Sequence, residues 1–449
     1  MTPWLRDPEY LDILADGTVK QINPFSGTEV WTVARRGRRP LASPRPAPQP
    51  LSIDDTVARC VFCERRYHDT PPEKARLVIP PPAAPGGDWR GQTKMLTAAS
   101  SLFDEVAEFR RVPNLFEILS LDYWRANYDY ELPGDLAAHA RAYLAEPAGR
   151  THLERVVAAK RRAEGLDSRA SHDELEAAAE AFFGSSHDLI IARRHFPEGA
   201  LDDSVLAGSG ALTPAEHRRF IAFTVEAMVD LYRRNRYVRY VTVFQNWLRP
   251  AGASLDHLHK QLVAIDEHGA QHELAAESLR QDPQIFNERA ANYAARKNLV
   301  IAENDSALAF AGFGHRYPTI EVFSKSAAPD PWNQTENELA GMADLLHAMH
   351  AATGSEIPTN EEWHSRPIDT VWPSPWRIML KWRLSTVAGF EGATKIYINT
   401  IDPYQLRDRV VPELFRLRAE GLIAPEIRIA TEAECRPNPL AYTENRGPA

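Results

Sequence analysis

Two histidines and a glutamine alternate near the middle of the chain, and this alternation constrains the fold more than any other feature of the sequence. His257, His259 and Gln261 are each two residues apart, and residues 262–265 that follow are all apolar. Successive side chains of a β-strand point to opposite faces, so these three polar side chains would share one face, whereas a helix would scatter them. The stretch therefore predicts a strand of a sheet with one polar face.

The composition indicates a soluble globular protein. The chain has 449 residues, of which 44% are hydrophobic and 25% charged, enough for two ordinary domains or one large duplicated one. Its net charge of -9 and its pI near 6.0 argue against nucleic acid as a partner. We see neither an apolar run of membrane-spanning length nor a signal-peptide core at the N-terminus, and we therefore expect a cytoplasmic protein.

The cysteines indicate a metal site and not a disulfide framework. There are three of them, and Cys60 and Cys63 have the spacing that lets two thiolates bind one tetrahedral zinc ion. His195, together with one histidine of the central stretch, would complete a Cys2His2 set. We choose His257 because it comes first, which leaves His259 free. The alternative is an isolated pair of cysteines with histidines that only fill the core.

Two other segments carry side chains suited to nucleotide binding. Arg36 and Arg39 flank Gly37 in a basic run before a proline-rich stretch, and guanidinium groups match phosphate oxygens bidentately. The alternative for this run is a solvated loop. Asn114 lies in a short predicted strand and turn over residues 111–116, where its amide can read a base or ribose or can simply form the turn.

The order of elements suggests a duplication. A capping box at Thr213 and another at Thr335 each open a helix, and each helix lies between predicted strands. Residues 132–183 have helical spacing and no visible chemistry, so we interpret them as a helical insertion. We predict an α+β protein with two tandem halves, 1–268 and 269–449, each an antiparallel sheet with packed helices.

The free histidine can act as a nucleophile. A neutral imidazole beside a phosphate site can attack phosphorus and form a phosphoramidate, provided that its other nitrogen is held in the protonated form. The Gln261 amide, the Ser254 hydroxyl and the backbone at Gly252 can donate hydrogen bonds to the phosphate oxygens. We therefore predict His259 as the nucleophile, with these groups around it.

The motifs resemble those of galactose-1-phosphate uridylyltransferase and its relatives in the histidine-triad superfamily, from about residue 20 to about residue 410. The resemblance rests on residues 23–31 with Arg36 and Arg39, on residues 111–116, and on residues 244–261 without a gap. Residues 387–391 and 396–399 match more weakly. The resemblance implies two histidine-triad-like halves, with the chemistry kept in the first half and substrate contacts in the second.

The resemblance also assigns roles. It implies zinc as the cofactor, held by Cys60, Cys63, His195 and His257, and a nucleotidylated His259 assisted by Gln261 and Ser254. The residues that it implies in substrate binding are Arg36, Arg39, Asn114, Phe116, Asn246, Gly252, Phe390, Glu391 and Asn399. The predicted partners are a nucleotide sugar and a sugar phosphate, with a homodimer as the assembly and without nucleic acid or membrane.

The sequence departs from the family pattern at several positions. Leu258 stands where a proline is usual and Lys260 where a small residue is usual, so we expect a phosphate pocket of different shape. Residues 376–383 lack the histidines that hold a further metal in some members, although His364 is present. We therefore expect no second metal. The helical insertion is not a standard part of the pattern and could cover the substrate side.

Three functions are compatible with these motifs. The one we favour is transfer of a nucleoside monophosphate from a nucleotide sugar to a sugar 1-phosphate through a nucleotidyl-histidine. A phosphorylase or hydrolase of the same superfamily, acting on a nucleotide sugar or a dinucleoside polyphosphate, is an alternative. A zinc-stabilised nucleotide-binding protein without activity is the third.

Overall fold

A computed structural model describes residues 9–34, 47–79 and 90–444 of the chain. The described residues form two compact units. The first comprises residues 9–34, 246–253 and 268–444, and the second comprises residues 47–79, 90–245 and 254–267. No helix in these ranges combines the length and the apolar character needed to cross a bilayer.

The strands of the described residues come singly or in runs of two or three between the α-helices. The strands are β1 (Leu11–Ile13), β2 (Val19–Ile22), β3 (Glu29–Thr32), β4 (Ala75–Val78), β5 (Gln92–Met95), β6 (Phe109–Pro113), β7 (His187–Ala192), β8 (Tyr240–Trp247), β9 (His259–Ile265), β10 (Val300–Glu303), β11 (Ala307–Gly312), β12 (Thr319–Ser324), β13 (Thr359–His364), β14 (Arg377–Trp382), β15 (Ile396–Ile398) and β16 (Arg428–Ile429).

The α-helices fall in two groups, one in each unit. They are α1 (Ile53–Ala58), α2 (Leu121–Tyr128), α3 (Gly134–Ala145), α4 (Pro147–Ala163), α5 (His172–Phe183), α6 (Pro214–Arg234), α7 (Ala270–Gln281), α8 (Asn292–Arg296), α9 (Glu336–Thr353), α10 (Gly389–Thr394) and α11 (Pro403–Ala419). Both predicted capping boxes are present. Thr213 caps α6 with Glu216, and Thr335 caps α9 with Glu338. Each helix therefore begins directly after the capping residue that the sequence predicts.

The second unit is built on an antiparallel sheet that contains the predicted histidine strand. Its strands follow the order β8, β9, β7, β6, β4, β5, with every neighbouring pair antiparallel. Helix α6 packs against β6 and β9. The Phe220 ring of α6 is fully buried and stacks on Phe109 of β6, with ring centroids 4.8 Å apart. The apolar side of α6 therefore covers one face of this sheet, which leaves the other face for the polar side chains.

The predicted helical insertion is confirmed as helices α3, α4 and α5. Their buried apolar side chains, including Leu153, Leu175 and Phe183, form one cluster with Ala99. Helix α4 packs on the turn over Glu64–Asp69, where His152 Nε2 lies 2.7 Å from the Thr70 carbonyl oxygen. The insertion is therefore attached to the part of the unit that directly follows Cys63.

The first unit holds two sheets. The larger has strands in the order β16, β10, β11, β12, β14, β13, all antiparallel to their neighbours, with helix α9 packed against β11, β12 and β14. The smaller has the order β1, β2, β3, β15, in which β15 runs parallel to β3. The unit thus repeats the combination of an antiparallel sheet with packed helices, and the predicted α+β class is confirmed.

The two compact units do not coincide with the two predicted halves of the sequence. Contacts place residues 9–34 in the same unit as residues 268–444. The halves 1–268 and 269–449 were inferred from a repeated order of elements, which contacts within a unit do not test. They stay a prediction.

A buried ionic cluster ties β4, β6 and β7 to α6. Lys74 Nζ donates to Asp188 Oδ1 at 2.8 Å, and Arg111 Nε donates to Asp188 Oδ2 at 2.7 Å. Arg111 Nη1 also donates to Asp230 of α6 at 2.7 Å. Asp188 is fully buried, and Lys74 and Arg111 are nearly so. Removing one member would leave an uncompensated charge in the core.

We expect Asp188→Asn to destabilise the protein by about 3–5 kcal/mol, because two buried cations would then share one carboxylate. Urea unfolding measures the effect. The matched control is Asp135→Asn, which removes one of the two carboxylate partners of Arg234, in an ion pair whose Asp135 side chain is 59% exposed. That change should cost less than about 1 kcal/mol. Similar small effects in both variants would contradict the prediction.

Candidate functional site

The predicted histidine strand is present as β9, which begins at His259. It pairs with β7, with His259 opposite Ile191 and Gln261 opposite Leu189. Paired residues share a face of the sheet, and Leu189 and Ile191 belong to one apolar cluster with Phe62. The Phe62 ring lies edge-on to the His259 imidazole, with centroids 5.2 Å apart. His259 and Gln261 therefore share the face that α6 does not cover.

Lys260 lies on the opposite face, as the alternation of the strand predicts. Its side chain is fully buried, with Nζ 4.8 Å from the Phe220 ring centroid and 3.2 Å from Gln245 Oε1. The alternation of the strand points it toward α6, so it does not line the His259 face. Leu258 is also fully buried. The expected change in the shape of the phosphate pocket stays a prediction.

The four predicted metal ligands come together in the second unit. Cys60 and Cys63 occupy a tight turn in which the Cys63 amide donates to the Cys60 carbonyl oxygen at 3.0 Å. His195 follows the end of β7, and His257 precedes β9. One potential ligand atom from each residue lies within 4.8 Å of the other three, and this group could hold a metal ion.

The distances in this cluster fit a tetrahedral zinc site. The two sulfur atoms are 3.8 Å apart, Cys60 Sγ is 3.4 Å from His257 Nδ1, and Cys63 Sγ is 3.7 Å from His195 Nδ1. With bonds of about 2.3 Å to sulfur and about 2.0 Å to nitrogen, a regular tetrahedron has edges of about 3.8 Å and about 3.5 Å. Two thiols and two imidazoles are also the donor set that zinc prefers in structural sites.

The electrostatics of the cysteine pair favour one thiolate, on Cys63. The pKa of the Cys63 thiol lies well below its usual value, chiefly because of the hydrogen bond with Cys60. The pKa of Cys60 is raised, first by its hydrogen bond to Cys63 and then by burial. Burial lowers the pKa of His257, whose Nε2–H donates to the Ala192 carbonyl oxygen at 2.7 Å. The Nδ1 lone pair of His257 therefore faces the sulfur atoms.

His259 is held in a single tautomer. Its Nδ1–H donates to the His257 carbonyl oxygen at 2.7 Å, and burial, as the main cause, lowers its pKa to about 4. The imidazole is therefore neutral at physiological pH, with its proton on Nδ1. Among the described residues, Nε2 has no hydrogen-bond partner. The ring thus presents one basic nitrogen, which is what a nucleophile at phosphorus requires.

Gln261 contacts a residue that sequence reasoning did not assign to the site, the histidine at the start of β7. His187 is buried, and its Nε2 lies 3.1 Å from Gln261 Oε1 and 3.1 Å from Asn114 Nδ2. Asn114, at the end of β6, accepts the Phe116 amide hydrogen at 2.9 Å. Two of the predicted residues therefore meet at His187. The one feature of the sequence that could have pointed to His187 is its position at the start of a predicted buried strand.

The remaining predicted residues lie at several places. Ser254 is exposed in the loop before β9, and the Phe116 side chain is 53% exposed just after β6. Arg36 and Arg39 lie outside the described residues. Five others are in the first unit, namely Asn246, Gly252, Phe390, Glu391 and Asn399.

The first-unit residues have these local surroundings. Asn246 Oδ1 accepts from Asn360 at 2.7 Å, and Gly252 has a φ of +91°, which favours glycine. Glu391 caps its own short helix through the Ala388 amide, and Phe390 is exposed. Asn399 is buried and donates to the His315 carbonyl oxygen at 3.1 Å. Their roles in substrate binding stay predictions.

A family model described as "Domain of unknown function (DUF4921)" matches residues 14–442. No curated protein matches the sequence.

Two solved structures share the fold. One is an ADP-glucose phosphorylase from Arabidopsis thaliana with bound ADP-glucose, at 17% identity and a TM-score of 0.54, covering 88% of this chain and 98% of that one. The other is a GalT-like protein from Arabidopsis thaliana, at 18% identity and a TM-score of 0.53, with the same coverage of 88% and 98%. The resemblance to the galactose-1-phosphate uridylyltransferase-like family is therefore confirmed at the level of fold.

Proposed function

Because the chain belongs to the DUF4921 family, whose description names no activity, we propose its function from the site. We propose that it moves a nucleoside monophosphate from a nucleotide sugar to a sugar 1-phosphate by way of a nucleotidyl group on His259. The observation that carries this proposal is the tautomer of His259. Its Nδ1–H is bound to a backbone carbonyl oxygen, and Nε2 is unpaired on the same face as the Gln261 amide.

The proposed reaction consists of two displacements. His259 Nε2 attacks the α-phosphorus of the nucleotide sugar, so a phosphorus–nitrogen bond forms while the bond to the β-phosphate oxygen breaks and sugar 1-phosphate leaves. A phosphate oxygen of the acceptor then attacks the same phosphorus, and the bond to Nε2 breaks. Because Nε2 carries no proton at the start, the first step needs no base.

The neighbouring groups would stabilise charge during both steps. The Gln261 side-chain NH2 and the Ser254 hydroxyl can donate to the non-bridging oxygens of the α-phosphate, where negative charge increases in the transition state. A glutamine amide does not relay protons, which favours a phosphate acceptor over water. Arg36 and Arg39 would bind further phosphate oxygens as bidentate donors.

A zinc ion in the Cys2His2 cluster would have a structural role. Held by Cys60, Cys63, His195 and His257, it would join three segments and fix the residue whose carbonyl oxygen orients His259. All four ligands come from the protein, so no position is left for substrate. The chemistry thus belongs to His259 and its neighbours.

Phosphorolysis is the second candidate, with inorganic phosphate as the acceptor. It is supported by the shared fold with an ADP-glucose phosphorylase, and it uses the same first displacement. A binding protein without activity would need neither a neutral His259 of fixed tautomer nor a donor beside it. The acceptor is therefore what separates the two enzymatic candidates.

The test uses purified protein and nucleotide sugars labelled in the α-phosphate, with ADP-glucose and UDP-glucose in the panel. We expect an acid-labile and base-stable adduct on the His259 peptide, as a phosphoramidate requires. Adding glucose 1-phosphate, galactose 1-phosphate or inorganic phosphate should discharge it and reveal the acceptor. If no nucleotide sugar of the panel gives an adduct or turnover while nucleotide still binds, the protein is a nucleotide-binding protein without activity.

We expect Gln261→Ala to slow adduct formation about a hundredfold without preventing it, because one donor to the developing charge is lost and the nucleophile is kept. Single-turnover kinetics with the labelled nucleotide sugar measure this rate. Gln271→Ala, on the exposed surface of α7, is the matched control and should react at the wild-type rate. An unchanged rate in Gln261→Ala would remove this amide from the mechanism.

A further inference from the structure

His187 is a buried histidine that the proposed chemistry does not use directly. It is 3% exposed at the start of β7, directly beside β9 in the sheet. Three groups surround its two ring nitrogens. The Ile118 amide donates to Nδ1 at 3.3 Å, and Nε2 has both Gln261 Oε1 and Asn114 Nδ2 at 3.1 Å.

The contact with the Ile118 backbone amide indicates which nitrogen carries the proton. A backbone amide can only donate, so the bond from Ile118 requires an unprotonated Nδ1. Burial lowers the pKa of His187, which keeps the ring neutral. A neutral imidazole with a bare Nδ1 has its proton on Nε2. Nε2–H must then donate, and the acceptor within reach is Gln261 Oε1.

The orientation of the Gln261 amide follows from this bond. With Oε1 occupied by His187, the NH2 group points away from it, and among the described residues it has no protein partner. Asn114 has the opposite orientation, because its Oδ1 accepts from the Phe116 amide and its Nδ2 is on the side of His187, where an amide nitrogen can make no hydrogen bond to the protonated Nε2. The Gln261 amide therefore offers its hydrogens to a ligand.

We propose that His187 is a positioning residue that holds the Gln261 amide with its NH2 group toward the phosphate of the substrate. This inference rests on the proposed function, since it assigns Gln261 a phosphate oxygen to bind. The terminal torsion of a glutamine has two broad orientations of similar energy. In the wrong one, Oε1 would face the phosphate oxygens and repel them. A histidine fixed by a backbone donor removes that choice before substrate arrives.

The kinetic test is a double-mutant cycle on adduct formation. His187→Leu removes the donor and should slow the reaction about tenfold, the cost of one misdirected hydrogen bond. His187→Gln can place its own Nε2 near the same position and should restore most of the rate. In a Gln261→Ala background, His187→Leu should cost nothing further, because it acts only through Gln261. Equal losses in both backgrounds would overturn the proposal.

A second measurement needs no activity. The 15N chemical shifts of histidine-labelled protein report the tautomer, and the His187 signals are those that disappear in His187→Gln. A proton on Nε2 supports the proposal, and a proton on Nδ1 overturns it, because Gln261 would then have to turn its NH2 toward His187. If the wild-type protein has the proton on His187 Nε2 but forms no adduct on His259, the proposed function is wrong and the contact between His187 and Gln261 is still supported.

Discussion

His259→Asn and His259→Ala should form no nucleotide adduct and should lose transfer activity by at least about a thousandfold, because the reacting nitrogen is gone. The asparagine variant is the sharper of the two. Its side-chain nitrogen can still donate to the His257 carbonyl oxygen, as His259 Nδ1 does at 2.7 Å. Folding and zinc content should therefore be kept. Mass spectrometry of the protein after incubation with labelled nucleotide sugar measures the adduct directly.

Two other histidines serve as controls for this experiment. His172→Ala, at the exposed start of α5, should react as the wild type does. His257→Ala should lose the metal first and lose activity as a consequence, since its Nδ1 lies 3.4 Å from Cys60 Sγ. If a variant without His259 turns over at the wild-type rate, the nucleophile is elsewhere and the two-step mechanism must be abandoned.

Cys60→Ser should lose the one zinc ion per chain that we expect in the wild-type protein, and should be destabilised by at least about 5 kcal/mol. Structural zinc binding contributes about 10–16 kcal/mol in small zinc-finger peptides, and that free energy is folding free energy. A serine hydroxyl is a poor zinc ligand. The site joins three segments far apart in sequence, so its loss should loosen the sheet beside His259. Elemental analysis and urea unfolding measure the two effects.

Cys435→Ser is the matched control, because this cysteine is exposed and lies outside the cluster. It should keep full zinc content and wild-type stability. A chelator added to the wild-type protein should lower its unfolding midpoint, which tests the same point should Cys60→Ser fail to fold. Full zinc content and unchanged stability in Cys60→Ser would refute the assignment.

The sequence predicted those parts of the site that depend on local periodicity. The period of two placed His259 and Gln261 on one face and Lys260 on the other, and β9 has this arrangement. The capping boxes at Thr213 and Thr335 marked the starts of α6 and α9. Such signals are readable because the side chains involved are separated by two to four residues, so chain geometry alone brings them together.

The contacts of Lys260 could not be predicted in the same way. The sequence showed a lysine where the family has a small residue, and a change in the phosphate pocket was the natural expectation. The structure buries it against Phe220 and Gln245, which are 40 and 15 residues away. Burial of an ammonium group is tolerated there because the aromatic ring and the amide oxygen both stabilise its charge.

The sequence by itself determined the α+β class, the alternating strand and the residue types that can bind a metal and attack phosphorus. Only the tertiary structure decided which of these residues meet. The pairing of β7 with β9 sets Leu189 opposite Gln261 and leaves His187 within reach of the same amide, although His187 and Gln261 are 74 residues apart. Strand register is chosen by burial of a whole sheet face, since a shift of one residue would turn every side chain to the other side. That choice depends on the summed packing of all strands, which no local pattern contains.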